Sequence, residues 1–195
     1  KALAVMKKVF KAGYAVSDLV ATASEGETIG SVIIPAGKIG IATICSVAVN
    51  GVLLKAGVPT EYKFSGLLEI NNFTPRRFIA AVDYAGTSID PSEDFILSGT
   101  TSVNNVVNHG AGRVMGAFRT IPLPAKLIAK EKIDRLKKIG IGGVHSLIDN
   151  YDRLFQVSVD TGRVGMVIFN GLNPVAAAVE SGIMIENIAG AGLVD

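Results

Sequence analysis

The chain has no tryptophan, a single cysteine and two histidines, and each shortage removes a class of function. One cysteine cannot close an internal disulfide and fits a reducing, cytoplasmic setting. His109 and His145 stand at no metal-ligand spacing from each other or from Cys45, so the sequence predicts neither a metal site nor a cofactor. Charge is sparse as well: 18% of residues are charged and 49% hydrophobic, and 19 basic and 17 acidic side chains leave a net +2. That balance argues against direct contact with DNA. No apolar run reaches the roughly 20 residues that cross a membrane. The longest, residues 39–54, is interrupted by Gly40, Thr43, Ser46 and Asn50 and flanked by Lys38 and Lys55. A surface so poor in charge is expected to be partly apolar and covered by a second copy, which predicts a homodimer. The chain opens at Lys1 without methionine or signal peptide, which predicts a segment of a longer protein.

What is present alternates between helix and strand patterns. The first half reads as a helix over 2–11, strand patterns at 16–23 and 28–34, a long apolar helix over 41–56, and a hairpin of 62–70 with 77–84. Short helices at 90–93 and 102–108 follow. The second half reads as a strand at 113–120, a helix over 123–139, and strands at 144–148, 154–159 and 163–169. A helix from Asn173 to Gly182 and a last strand at 183–188 complete it. This order contains the split βαβ pattern of a ferredoxin-like sandwich, and the first half approximates it. The expectation is an α+β protein of two ferredoxin-like lobes, residues 1–108 and 109–195, packed as one duplicated domain.

The residues that carry chemistry point to recognition. Asp160-Thr161-Gly162 resembles half of an aspartic protease signature, but no second copy exists to share a proton, and a tight turn accounts for it. Cys45 lies among aliphatic residues with no visible base. Gly37-Lys38-Ile39-Gly40 lacks the Gly-Lys-Ser/Thr ending of a phosphate loop. Two arginines, Arg113 and Arg119, run through the glycine-rich stretch Gly110–Pro124 into a helix start, a setting suited to an anion. On one regular strand they share a face about 20 Å apart. Either Gly116 bulges the strand, or one arginine serves a ligand while the other pairs with an acid such as Glu69 or Asp83. Asn173, before Pro174, either caps its helix or contributes to an anion site at that helix start. The lysines and arginines of 126–138 form the solvated side of an amphipathic helix.

Several segments together resemble the regulatory domain of the archaeal NrpR nitrogen-repressor family. They are residues 38–57, Asp83-Tyr84-Ala85-Gly86-Thr87-Ser88-Ile89-Asp90-Pro91, Gly116-Ala117-Phe118-Arg119-Thr120-Ile121-Pro122, Gly140-Ile141-Gly142-Gly143-Val144, and Gly162-Arg163-Val164-Gly165 through Gly171-Leu172-Asn173-Pro174. At the position of Thr120 the family pattern often carries an acid. The resemblance implies a cytoplasmic repressor of nitrogen-assimilation genes, released from DNA by 2-oxoglutarate, with a winged-helix domain elsewhere in the full-length chain. On that reading the ligand-binding residues are Arg119, Arg113, Asn173, Thr43, Ser46 and His109. The alternatives are a dimerisation module without ligand and, from another class, an enzyme acting on a small carboxylate with His109 as its acid or base.

Overall fold

The computed structural model describes residues 1–149 and 155–187. Its centre is a five-stranded antiparallel sheet in the order β6-β5-β7-β9-β8, built from β5 (Glu61–Asn71), β6 (Thr74–Asp83), β7 (Gly112–Pro122), β8 (Val144–Ile148) and β9 (Arg163–Phe169). Six α-helices accompany it among the described residues: α1 (Ala2–Lys11), α2 (Val47–Lys55), α3 (Pro91–Leu97), α4 (Val103–His109), α5 (Lys126–Lys138) and α6 (Asn173–Glu180). Short strands β1 (Val20–Ala23) and β4 (Gly40–Thr43) pair with each other, and β2 (Thr28–Ile29) pairs with β3 (Val32–Ile33). The α+β class expected from the sequence holds.

The split βαβ order is realised in residues 112–169. β7 and β8 both pair antiparallel with β9 and therefore run parallel to each other, with β9 inserted between them and α5 connecting them. The first half adds its β5–β6 hairpin to this sheet rather than closing a second one: β5 pairs with β7 from Glu61↔Thr120 to Ile70↔Gly112, across the line between the two halves.

The sheet order explains two strands that do not form. Residues 183–187 are not strand, and Ile188 lies outside the described residues; the edge of β7 that such a strand would need is held by β5. Residues 155–159 are also not strand, and Leu154 lies outside the described residues. Both edges of β9 are taken, by β7 and β8, so Phe155 is instead fully buried and its carbonyl accepts a hydrogen bond from Phe78 N at 3.3 Å. The turn itself is as expected: Arg163 N donates to the Asp160 carbonyl at 3.0 Å, and Gly162 supplies a φ of +79°.

The long helix expected over 41–56 begins only at Val47. Its first residues, rich in β-branched side chains, form β4 against β1. Nor does Gly116 bulge the sheet. It lies opposite Gly66, and the irregularity between β5 and β7 falls at Tyr62/Phe64. An added Cβ on Gly66 would come within 2.4 Å of the Ala80 carbonyl oxygen, so this glycine serves close backbone approach.

Alternation along the strands sorts two cores. Ile121, Val164, Met166 and Ile168 cluster with Val49 and Leu53 of α2 and with Ala129, Ile133 and Leu136 of α5. Phe118, Val167 and Phe169 join Met6, Val9, Val106 and the alanines of α6 in the larger cluster. Because side chains alternate with period two, Arg119, between Phe118 and Thr120, points to the side carrying α2 and α5.

Candidate functional site

Arg119 is 1% exposed, the largest fully buried side chain among the described residues. The start of α2 holds it. Arg119 Nη1 donates to the Ser46 carbonyl at 2.9 Å and to Asn50 Oδ1, and Nη2 donates to Ser46 Oγ at 2.7 Å. Ser46 precedes the apolar run where an N-cap is expected, yet its hydroxyl makes no cap bond and serves the guanidinium instead. Tyr62, opposite Arg119 in the β5–β7 register, lays its ring under the guanidinium with 4.5 Å from Cζ to the centroid. Tyr84 meets Tyr62 edge to face at 5.7 Å.

No carboxylate pairs with Arg119 among the described residues. Burial pushes its pKa down, opposed by Tyr62, Tyr84 and Cys45, and burial holds the Tyr84 hydroxyl above its ordinary value. A guanidinium keeps its charge at neutral pH. Among the described residues the fold therefore carries a buried cation with no counter-ion, an arrangement that is costly unless something supplies the charge.

The other expected site residues disperse. Thr43 lies at the end of β4, and its hydroxyl donates to the Gly171 carbonyl at 3.1 Å. Asn173 is fully buried: Oδ1 accepts from Met115 N, and Nδ2 donates to the carbonyls of Tyr14 and Met115, all at 2.8 Å. It stands at the first position of α6, makes no side-chain cap bond, and has both donors committed to the fold. Arg113 is exposed. Its register partner Glu69 pairs with Arg77 at 2.9 Å instead, and Asp83 accepts from Ala85 N at the turn after β6. Neither expected acid thus meets either arginine. His109 ends α4, its Nδ1 2.9 Å from Asn105 Oδ1, beside a shallow depression of about 420 Å³ bordered by Thr101, Asn104 and Glu180. Seven residues of extended strand, about 23 Å, separate Gly112 from Arg119, so His109 cannot act as acid or base beside that guanidinium.

His145 belongs to an aromatic contact, 5.3 Å from Phe169 and 6.0 Å from Phe155 between ring centroids; burial lowers its pKa, and Lys137 adds to that. Asp149, which the sequence places four residues on, pairs with Lys126 at 2.6 Å. Thr120, beside the site residue, is engaged elsewhere: it donates to Glu61 and accepts from Arg163 Nε at 2.8 Å.

Asn50 and Tyr62 are the members of the Arg119 site that the sequence reading missed. A signal existed for Asn50. Ser46 and Asn50 are the polar residues of the apolar stretch 44–54, four apart, and so lie on one face of a helix. No sequence signal marked Tyr62, which reaches Arg119 only through strand pairing.

The model of the family described as NrpR regulatory domains NRD1 and 2 matches residues 1–195. The chain belongs to that family. A relative, the global nitrogen regulator NrpRI of Methanosarcina mazei, is 38% identical over 175 residues, covering 90% of this chain and 54% of the relative. The global nitrogen regulator NrpR of Methanococcus maripaludis is 29% identical over 186 residues, 95% of this chain and 32% of the relative. The chain thus spans about half the length of the first and about a third of the second. Among solved structures, a nitrogen repressor-like protein from Methanococcus jannaschii superposes with a TM-score of 0.76 at 28% identity, over 96% of this chain and 75% of that one. The chain is a regulatory domain and not an enzyme, as its family and relatives show. No helix among its described residues is long and apolar enough to cross a membrane.

Proposed function

We propose that this chain is the effector-sensing and dimerisation domain of a transcriptional repressor of nitrogen-assimilation genes, that 2-oxoglutarate is the effector, and that Arg119 with Ser46 receives it. The domain works as a homodimer in the cytoplasm, joined in the full-length protein to a winged-helix domain that makes the DNA contact. The observation that carries the ligand reading is the buried Arg119 guanidinium, which has no acidic partner among the described residues: a dicarboxylate supplies the missing charge. Because Arg119 is 1% exposed, a ligand enters only if Tyr62 or the start of α2 yields. That requirement ties occupancy to a change of shape, as a switch needs.

Isothermal titration calorimetry tests this. The 195-residue chain should bind 2-oxoglutarate, and Arg119→Ala should weaken binding roughly 10- to 100-fold, the value of about 1.5–3 kcal/mol for a hydrogen bond to a charged group. Arg113→Ala, at the far end of β7, should leave the affinity unchanged. Absence of heat at about millimolar 2-oxoglutarate, or full affinity in Arg119→Ala, would overturn the assignment. The closure of the site favours one second reading, a dimerisation module that binds no effector, and that reading predicts the absence of heat.

A further inference from the structure

The groups that close over Arg119 differ in how firmly they are held. On one side lies α2, seated in its core by Val49 and Leu53, both 0% exposed, so lifting its start exposes buried apolar surface. Elsewhere the cover is a pair of rings. Tyr62 faces the guanidinium at 4.5 Å, and Tyr84 meets Tyr62 edge to face with centroids 5.7 Å apart. Burial lowers the Arg119 pKa, and Tyr62 and Tyr84 oppose that shift, which puts both rings beside its charge. Tyr84 opens the segment 84–89, which runs from the end of β6 to the N-cap of α3, Asp90. Ala85, Gly86, Ser88 and Ile89 are exposed, and a Cβ added to Gly86 would meet nothing within 4 Å. The hydrogen bonds of this segment are local: Asp83 Oδ1 accepts from Ala85 N at 2.9 Å, and Thr87 Oγ1 donates to the Ile89 carbonyl at 2.8 Å and accepts from Ile89 N at 3.2 Å. Among the described residues, no backbone hydrogen bond outside the regular elements ties residues 84–89 to the rest of the chain.

We propose that residues 84–89 form a lid over the Arg119 site with Tyr84 as its latch: a ligand reaches the guanidinium when Tyr84 lifts off Tyr62 and frees that ring to turn, while α2 keeps its packing during entry. The proposal deepens the proposed function and rests on it for what enters, not for the opening itself. The physical ground is relative cost. Releasing Tyr84 gives up one edge-to-face contact and part of one ring's burial. Shifting α2 gives up two fully buried aliphatic side chains together with the bonds from Arg119 to Ser46 and Asn50. Tyr62 is placed to follow the lid. It is 39% exposed, and the β5–β6 register begins at Phe64, so among the described residues Tyr62 has a strand neighbour on the β7 side only. The local bonds at Asp83 and Thr87 preserve the shape of the segment, so it moves as a unit.

Phenylglyoxal, which modifies accessible guanidino groups, tests the opening with no effector present, each arginine of the chain being read by peptide mass spectrometry. In the wild type, Arg119 should react far more slowly than the exposed Arg113. Tyr84→Ala should speed modification of Arg119 by about tenfold, the factor that corresponds to losing an aromatic pair worth about 1.4 kcal/mol. Asp83→Ala leaves Tyr84 in place but removes the bond that seats its turn. It should speed modification of Arg119 severalfold, and it carries the test if Tyr84→Ala does not fold. Hydrogen exchange at the amides of residues 49–53 should be unchanged in both variants. An Arg119 rate unchanged in both, acceleration in Tyr84→Ala alone, or faster exchange in α2 alongside faster modification overturns the lid, because each assigns the closure to a fixed cover or to α2. None of these outcomes touches the proposed function, whose own test is the heat of 2-oxoglutarate binding. Accelerated modification of Arg119 in both variants with no such heat leaves the lid standing and removes that function.

Discussion

Asn50 and Asn173 are both buried asparagines on helices, and they differ in how fully their amides are bonded. Asn173 has its carbonyl and both amide hydrogens committed, bridging Met115 to Tyr14. Asn50 spends its carbonyl on Arg119 and leaves its amide nitrogen without a partner. Asn173→Ala should therefore act on stability alone. Removing three hydrogen bonds and orphaning the buried Met115 amide should cost about 2–4 kcal/mol in urea denaturation, with effector affinity unchanged in whatever fraction remains folded. A loss below about 1 kcal/mol would mean that water replaces the side chain there. From sequence, Asn173 before Pro174 offered every sign of a helix cap. Its actual duty depends on β9 ending at Phe169, opposite Gly116, so that the next residue of β7, Met115, donates its N–H to Asn173, 58 positions later in the chain.

Helix α4 shows how one element borrows its cap from another. Its N-cap Ser102 accepts from Arg113 N at 2.8 Å and so is unavailable to the helix. The Glu180 carboxylate, from the end of α6, takes that place and accepts from Val103 N, Asn104 N and the Thr101 hydroxyl at 2.7–2.8 Å. A negative charge at a helix N-terminus is stabilising for the same reason that Ser or Asp caps are. Glu180→Ala should cost about 1–2 kcal/mol, the lower end being favoured by its exposure. Hydrogen exchange should show the loss concentrated in the first turn of α4; protection unchanged there would refute the capping role. The sequence located α4 from its local pattern but gave no hint of this partner, which is 77 residues away from Val103.

At the scale of the whole molecule, one sheet joins both halves of the chain through the β5–β7 pairing, and α2 lies on it with Arg119 beneath. On the proposed function, an effector that must displace Tyr62 or α2 to reach the guanidinium would be coupled to the placement of a helix whose outer side is largely apolar, with Val47 52% and Leu54 66% exposed. Coupling of about 1–3 kcal/mol between effector and assembly is the usual range for such switches. Sedimentation velocity of the chain should therefore register a change in shape or assembly on adding 2-oxoglutarate, and Arg119→Ala should abolish it. Binding measured by calorimetry with an unaltered sedimentation profile would show that the site is occupied without switching this domain.

The sequence by itself determined what depends on neighbours in the chain: the identity and approximate extent of α1, α5, α6 and the β5–β6 hairpin, the turn at Asp160–Gly162, and the ordered motifs that mark the family. It also singled out Arg119, Ser46 and the glycine-rich strand that carries the arginine. Only the tertiary structure decided which strands find a partner. Residues 155–159 and 183–187 carry strand-like patterns, but the edges they would need are occupied by β7, β8 and β5. It also decided that Arg119 is buried against α2 while Arg113 is exposed, and that Asn50 and Tyr62 meet the Arg119 guanidinium. Hydrogen-bond edges and burial are shared between segments far apart in sequence, so no local pattern can assign them.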